Sequence, residues 1–181
     1  MAHVIAFANP ESRTGKTTSA SHLCLELAGR GIAVLAIDAD PRAELTRAFG
    51  VDAELVETSL FQVFVHGAHP VLALRETEFG VDLLPATAEL SLAEGLLVTR
   101  AGRESVLRTA LAGLQDQYET IVIDCPSSLG LLALNALAAA DELVIPSAGT
   151  PTRGMEALMR SVDEIRQFVN PGLIVRENPR A

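Results

Sequence analysis

The chain has 181 residues, 49% of them hydrophobic and 20% charged. That suits one globular domain with its own core, is too little for two full ones, and excludes a disordered chain. Net charge is −9, with eight acidic side chains between Asp52 and Thr99 and only Arg75 to offset them, which argues against a bulk-basic nucleic-acid binder.

Met1-Ala2-His3 has no basic leader, so no secretory signal is expected. Val4-Ile5-Ala6-Phe7-Ala8 is a short apolar run ended by Asn9-Pro10, which predicts a buried strand entering a loop. A helical pattern follows from Lys16 to Arg30, with Ala20, Leu23 and Leu27 on one face, closed by Gly29 and Gly31. Ala33 to Ile37 is a second buried strand, stopped by Asp38-Ala39-Asp40-Pro41. Strand, loop, helix and strand in this order are a βαβ unit.

Further on, Thr58 is placed to cap a short helix through Val65, and His66-Gly67-Ala68-His69-Pro70 reads as a surface turn. Val81 to Leu84, closed by Pro85, is a third strand. Glu104 to Leu114 carries a helical stripe. Thr120 to Ile123 is a buried strand running into Asp124-Cys125-Pro126, and Leu129 to Ala139 is an apolar helix. Leu143-Val144-Ile145 is another strand, Met155 to Val169 a last amphipathic helix, and Leu173-Ile174-Val175 the start of one more strand. The longest uncharged run, Ser127 to Ala140, is too short to span a bilayer. Cys24 and Cys125 lack metal spacing and read as buried, inert thiols. The expected fold is one α/β domain over residues 1–181. It has a doubly wound, mostly parallel sheet with helices on both faces, and its sites lie at the carboxyl ends of the strands.

Three strand ends carry candidate groups. The loop from Pro10 to Thr18 enters a helix at Gly15-Lys16-Thr17-Thr18. Helix-start N–H groups favour an anion, and a lysine adds a point charge for phosphates. Lys16 is the sole lysine among 14 basic residues. Thr17 is placed to ligate Mg²⁺ through its hydroxyl. The strict phosphate-loop pattern fails at its first glycine, where Pro10 stands. The other ends carry Asp38 with Asp40, and Asp124. For these the bland alternatives are a turn before Pro41 and a helix cap before Leu129.

Taken together, Lys16-Thr17-Thr18, the run Val34 to Pro41 and the stretch Tyr118 to Glu142, which includes Asp124-Cys125-Pro126-Ser127-Ser128-Leu129-Gly130, resemble the ParA/Soj-type partition ATPases, the deviant-Walker-A group related to MinD. The run Val81 to Ala86 resembles another family strand, and the likeness spans residues 3–172. It implies a P-loop NTPase-like switch that binds ATP or ADP with Mg²⁺ and dimerises face to face. It also implies non-specific DNA binding and a centromere-binding, ParB-like partner. Lys16 would hold the β- and γ-phosphates, Thr17 the Mg²⁺, and Thr18 would lie near the α-phosphate. Asp40 would position the attacking water, and Asp38 and Asp124 would support the magnesium shell. Ser12, Arg13, Thr14 and Gly15 would line the phosphate loop.

The chain departs from the family's Lys-Gly-Gly-x-Gly-Lys, writing Glu11-Ser12-Arg13-Thr14-Gly15-Lys16. The missing first lysine is the one that reaches across the dimer in the family. Both ATP hydrolysis and the homodimer are therefore expected to be impaired, with Arg13 as a candidate substitute charge. The chain also stops where the family continues with further elements. DNA binding is expected to be weak and adenine specificity is left open. The expected location is cytoplasmic, with no membrane association and with nucleoid association left open. The alternative is a non-catalytic relative acting through protein contacts. A metabolic ATP-dependent synthetase on the same scaffold is disfavoured by the stretch 118–142.

Overall fold

A computed structural model describes residues 1–146 and 152–178. Its frame is a seven-stranded sheet in the order β3-β4-β2-β5-β1-β6-β7. The strands are β1 (His3–Phe7), β2 (Val34–Asp38), β3 (Arg75–Glu76), β4 (Asp82–Leu84), β5 (Thr120–Asp124), β6 (Glu142–Pro146) and β7 (Ile174–Asn178). All pairings are parallel except β3 with β4. β2 and β5 are buried along their whole length, as strands covered on both faces must be.

One face of the sheet packs against α1 (Lys16–Gly29) and α2 (Glu44–Ala48) through Phe7, Ala20, Cys24, Ala36, Leu45 and Val122. α1 turns Lys16, Ala20 and Cys24 inward at four-residue spacing, while Leu23 and Leu27 flank that line half-buried. The opposite face carries the larger cluster, under α3 (Leu60–His66), α4 (Leu90–Leu97), α5 (Val106–Leu111), α6 (Leu131–Ala139) and α7 (Arg153–Phe168).

The elements depart from the sequence expectation in instructive places. The cap of α3 is Ser59 and not Thr58. Its hydroxyl accepts from the Phe61 N–H at 3.2 Å, and the Gln62 side chain accepts from the Ser59 N–H at 2.8 Å, a reciprocal capping box. α4 was not predicted, because Leu92 and Leu96 are exposed on the face opposite Leu90, Ala93 and Leu97, which erases the amphipathic period. The two-residue β3 and the five-residue α2 are too short to leave a periodic signal. The stripe from Glu104 splits into a short 3₁₀ turn, Arg103–Ser105, and α5.

Two polar groups tie helices to one another. Asn135 is fully buried. It accepts from the Leu107 N–H at 3.1 Å and donates to the carbonyls of Arg103 and Leu131 at 2.7 and 2.9 Å, so α6 is pinned to the start of α5. Glu94 reaches from α4 to the start of α6, where Oε1 accepts from the Leu132 N–H at 3.2 Å. A Cβ at Gly130 would overlap that carboxylate.

Candidate functional site

The strand order brings the three candidate ends together. β5 lies between β2 and β1, with Asp124 in register with Asp38 on one side and Phe7 on the other. The loop leaving β1 therefore passes over the carboxyl ends of the two strands that carry the aspartates.

That loop is anchored at its start by Asn9, which is 2% exposed. Its amide donates to the Pro146 carbonyl at 2.6 Å, and its Oδ1 accepts from the Glu11 N–H at 2.8 Å. The loop then makes two left-handed steps, Arg13 at φ 60° and Gly15 at φ 83°. Glycine enters that region freely, whereas an arginine there is strained. Arg13 thus keeps a glycine-like backbone conformation without being glycine. α1 begins directly after, with no side-chain cap and no acidic residue in its first turn. Its first N–H groups are left for an anion.

Lys16 is 5% exposed. Its Nζ donates to the Glu11 carbonyl at 3.1 Å and to Ser127 Oγ at 2.9 Å. Burial lowers its pKa, and the nearby Arg42 charge lowers it further, against the opposing pull of Asp124 and Asp40. Thr17 Oγ1 donates to Asp124 Oδ2 at 2.6 Å. The other oxygen, Asp124 Oδ1, is buried without a hydrogen-bond partner. Burial, reinforced by Asp38 and Asp40, pushes the Asp124 carboxyl up to about 8, although the Thr17 bond acts downward. An orphaned buried oxygen beside a threonine hydroxyl fits a hard cation with oxygen ligands. Among the described residues no three His, Cys, Asp or Glu side chains converge as a metal cage. A cation here would take its remaining ligands from phosphate and water.

The two aspartates of Asp38-Ala39-Asp40 are placed differently. Asp38 is fully buried, and both its oxygens are already engaged. Oδ1 accepts from the Asp40 N–H at 3.1 Å, and Oδ2 accepts from the N–H and hydroxyl of Thr46, each at 2.8 Å. Burial pushes its carboxyl up to about 6. Its geometry is that of a brace holding α2 to β2, behind the cluster of Thr17 and Asp124. Asp40 is also buried and pairs with the half-exposed Arg42 at 2.8 Å. Asp124 does not cap α6, which has no side-chain cap at Gly130 and gives its Leu132 N–H to Glu94.

Ser12 and Arg13 are exposed and Thr14 half-buried. Thr14 Oγ1 donates to the Glu11 carbonyl at 3.3 Å. Thr18 is exposed on the outer side of the first helical turn. Sequence reasoning gave no site role to Asn9, which anchors the loop, or to Arg42, Thr46 and Ser127, which hold Asp40, Asp38 and Lys16. Asn9 had a local signal in Asn9-Pro10. Ser127 and Thr46 lie 111 and 8 residues from the groups they bind and had none. The histidines of the turn have neighbours within the chain. His69 Nδ1 accepts from the Val71 N–H at 3.4 Å, and His66 packs edge-on against Phe61. Burial pushes the Cys24 thiol up to about 12 and raises that of Cys125 as well, in line with inert thiols.

Residues 2–175 match the family model described as AAA domain. The chain is 37% identical over 178 residues to the chromosome partitioning protein ParA of Caulobacter vibrioides, covering 96% of this chain and 67% of that protein. It is 35% identical over 178 residues to the sporulation initiation inhibitor protein Soj of Bacillus subtilis, covering 97% and 70% respectively. A Mycobacterium smegmatis structure titled cobyrinic acid a,c-diamide synthase, with a bound ATP analogue and magnesium, superposes with TM-score 0.93 at 37% identity, covering 97% of this chain and 72% of that one. Among the described residues no helix is long and apolar enough to cross a membrane. By its fold, its strand-end residues and these relatives, the chain belongs to the ParA/Soj-type family of P-loop partition ATPases.

Proposed function

We propose that the chain is a nucleotide-dependent partition switch that binds ATP or ADP with Mg²⁺ and hydrolyses ATP slowly. The observation that carries this reading is the meeting of Lys16, Thr17 and the orphaned Asp124 Oδ1 at the uncapped start of α1. The backbone of Ser12 to Gly15 and the first turn of α1 would cradle the phosphates, and Lys16 would leave Ser127 to meet their β/γ charge. Thr17 and Asp124 would hold the cation, with Asp38 braced behind them. Bound with the nucleotide, Mg²⁺ supplies charge neutralisation at the phosphate oxygens. Asp40 would orient the attacking water.

The relatives' names extend this reading to chromosome partition, with a second copy of the chain and a centromere-binding protein as partners. Lys16→Ala should abolish magnesium–nucleotide binding in calorimetry, and unchanged affinity would remove the reading. The synthase name of the mycobacterial neighbour raises an amide-forming alternative. That chemistry consumes ATP only when an acid and an amine are supplied. Turnover with ATP alone, abolished by Lys16→Ala, favours the switch.

A further inference from the structure

Asp40 is the group to which the proposed reading gives the attacking water, yet both oxygens of its carboxylate are held by Arg42 within the chain. Oδ1 accepts from the Arg42 N–H at 2.9 Å and from Arg42 Nε at 3.3 Å. Oδ2 accepts from Arg42 Nε at 3.1 Å and from the second guanidinium nitrogen at 2.8 Å. The Nε–H is shared between the two oxygens, so three Arg42 N–H groups take three of the carboxylate's about four lone-pair sites and neutralise its charge. A carboxylate paired this way is a weaker acceptor for the protons of a water, so Asp40 acts at full strength only when something competes for Arg42.

The backbone makes this pairing local and persistent. The Ala43 N–H donates back to the Asp40 carbonyl at 2.8 Å, and Ala43 is left-handed at φ 53°. The tight turn around Pro41 holds Arg42 beside Asp40. The two partners differ in freedom. The Asp40 side chain is 6% exposed and that of Arg42 is 51% exposed. Arg42 is therefore the half that can move. Its remaining nitrogen is 3.4 Å from the half-exposed Glu44. Together with Arg47, Thr87 and Glu89, Arg42 lines an open cavity of about 670 Å³, which gives the guanidinium room to swing. Asp38, in register with Asp124, accepts from the Asp40 N–H, so Arg42 stands two residues beyond the strand-end cluster, and its charge acts on both Lys16 and Asp124.

We propose that Arg42 is a positioning residue whose guanidinium is shared in turn between the Asp40 carboxylate and the terminal phosphate of a nucleoside triphosphate, so that Asp40 is released when a triphosphate is bound. The planar fork matches phosphate as well as carboxylate, and a triphosphate brings more negative charge than Asp40 can offer. A diphosphate lacks the terminal group and leaves the pair intact. The chain thereby distinguishes its two nucleotide states through one side chain. This inference rests on the phosphate-site reading above.

The test follows the arginine Nε–H signals of the ¹⁵N-labelled full chain by NMR, with Arg42→Lys identifying the Arg42 resonance. A solvent-protected Arg42 signal is expected, lost in Asp40→Asn with an otherwise intact amide spectrum and kept in Glu44→Gln. Mg²⁺ with ADP should leave it in place, and Mg²⁺ with a non-hydrolysable ATP analogue should move it. In calorimetry, Arg42→Ala should weaken binding of the ATP analogue by about tenfold, the scale of one charge-assisted bond, and leave ADP binding unchanged. A merely structural arginine would shift both affinities together. Equal losses for the two nucleotides, a signal indifferent to Asp40→Asn, or one indifferent to the ATP analogue would each overturn the proposal. If the unmodified chain binds neither nucleotide, the phosphate-site reading falls and takes this one with it. If ADP binds normally and the Arg42 signal ignores the triphosphate, only the role of Arg42 falls.

Discussion

Asp124 ends a fully buried strand, and burial makes its charge costly. Its carboxyl is pushed up to about 8, against about 3.9 in an unfolded chain. A carboxyl raised in the folded state favours folding fully below the unfolded value and loses that contribution as pH climbs through the folded one. The nucleotide-free protein should therefore become less stable between about pH 4 and 8, and Asp124→Asn should flatten the upper part of that slope in thermal unfolding. Asp38, raised to about 6 by burial, contributes to the lower part. Ligation by a cation needs the ionised form. Binding of Mg²⁺ with nucleotide at pH 7 should release close to one proton, read as a dependence of calorimetric heat on the buffer's ionisation enthalpy. An Asp124→Asn variant with the same slope, or binding without proton release, would count against the cation role. At this scale the sequence named Lys16, Thr17, Asp38, Asp40 and Asp124, because strand ends and a helix start are local patterns. It was silent on Ser127 and Thr46, whose roles arise only when distant segments meet.

Between residues 9 and 18 the loop combines a buried anchor, two left-handed steps and an uncapped helix. Glu11 and Arg13 stand where the family has lysine and glycine. The Glu11 side chain is exposed, so water screens most of its repulsion toward a triphosphate. Its carbonyl meanwhile binds Lys16. Arg13 at φ 60° bears a left-handed penalty on the order of 1–2 kcal/mol, which glycine would remove. Glu11→Lys alone should raise ATP turnover little. The triple variant Glu11→Lys, Ser12→Gly and Arg13→Gly should raise both turnover and the ATP-dependent dimer mass seen by light scattering. If the unmodified chain already matches the triple variant, this loop is not what limits the reaction, and Arg13 becomes the residue to test as a substitute charge. The loop and its flanking β1 and α1 were legible because period and punctuation coincide there. α4 was not, since exposed Leu92 and Leu96 spread its apolar residues beyond a single face.

The molecule as a whole carries net charge −9, and that sets its expected behaviour toward nucleic acid. From Arg153 to Arg180 five arginines face four acids in sequence, with Arg180 outside the described residues. Several cations must act on neighbouring phosphates before counterion release gives useful affinity. Random duplex DNA should therefore bind no tighter than micromolar at physiological salt in a gel shift, and sub-micromolar affinity would contradict the charge argument. The doubly wound sheet was legible from the alternation of apolar strands with helical stretches. The antiparallel β3 edge was not, because two residues carry no pattern that distinguishes a strand from a turn.

The contact of Glu94 with the start of α6 has a consequence for how the chain can vary. Glycine at position 130 leaves the space that the Glu94 carboxylate fills, and the carboxylate in turn satisfies the Leu132 N–H. A side chain at 130 would not break the helix; it would evict Glu94 and cost about one cap, ~1 kcal/mol. Once Glu94 is replaced by a shorter residue, position 130 loses its reason to be glycine. Lineages of this protein should drift at the two sites together, with loss of the acid preceding loss of the glycine.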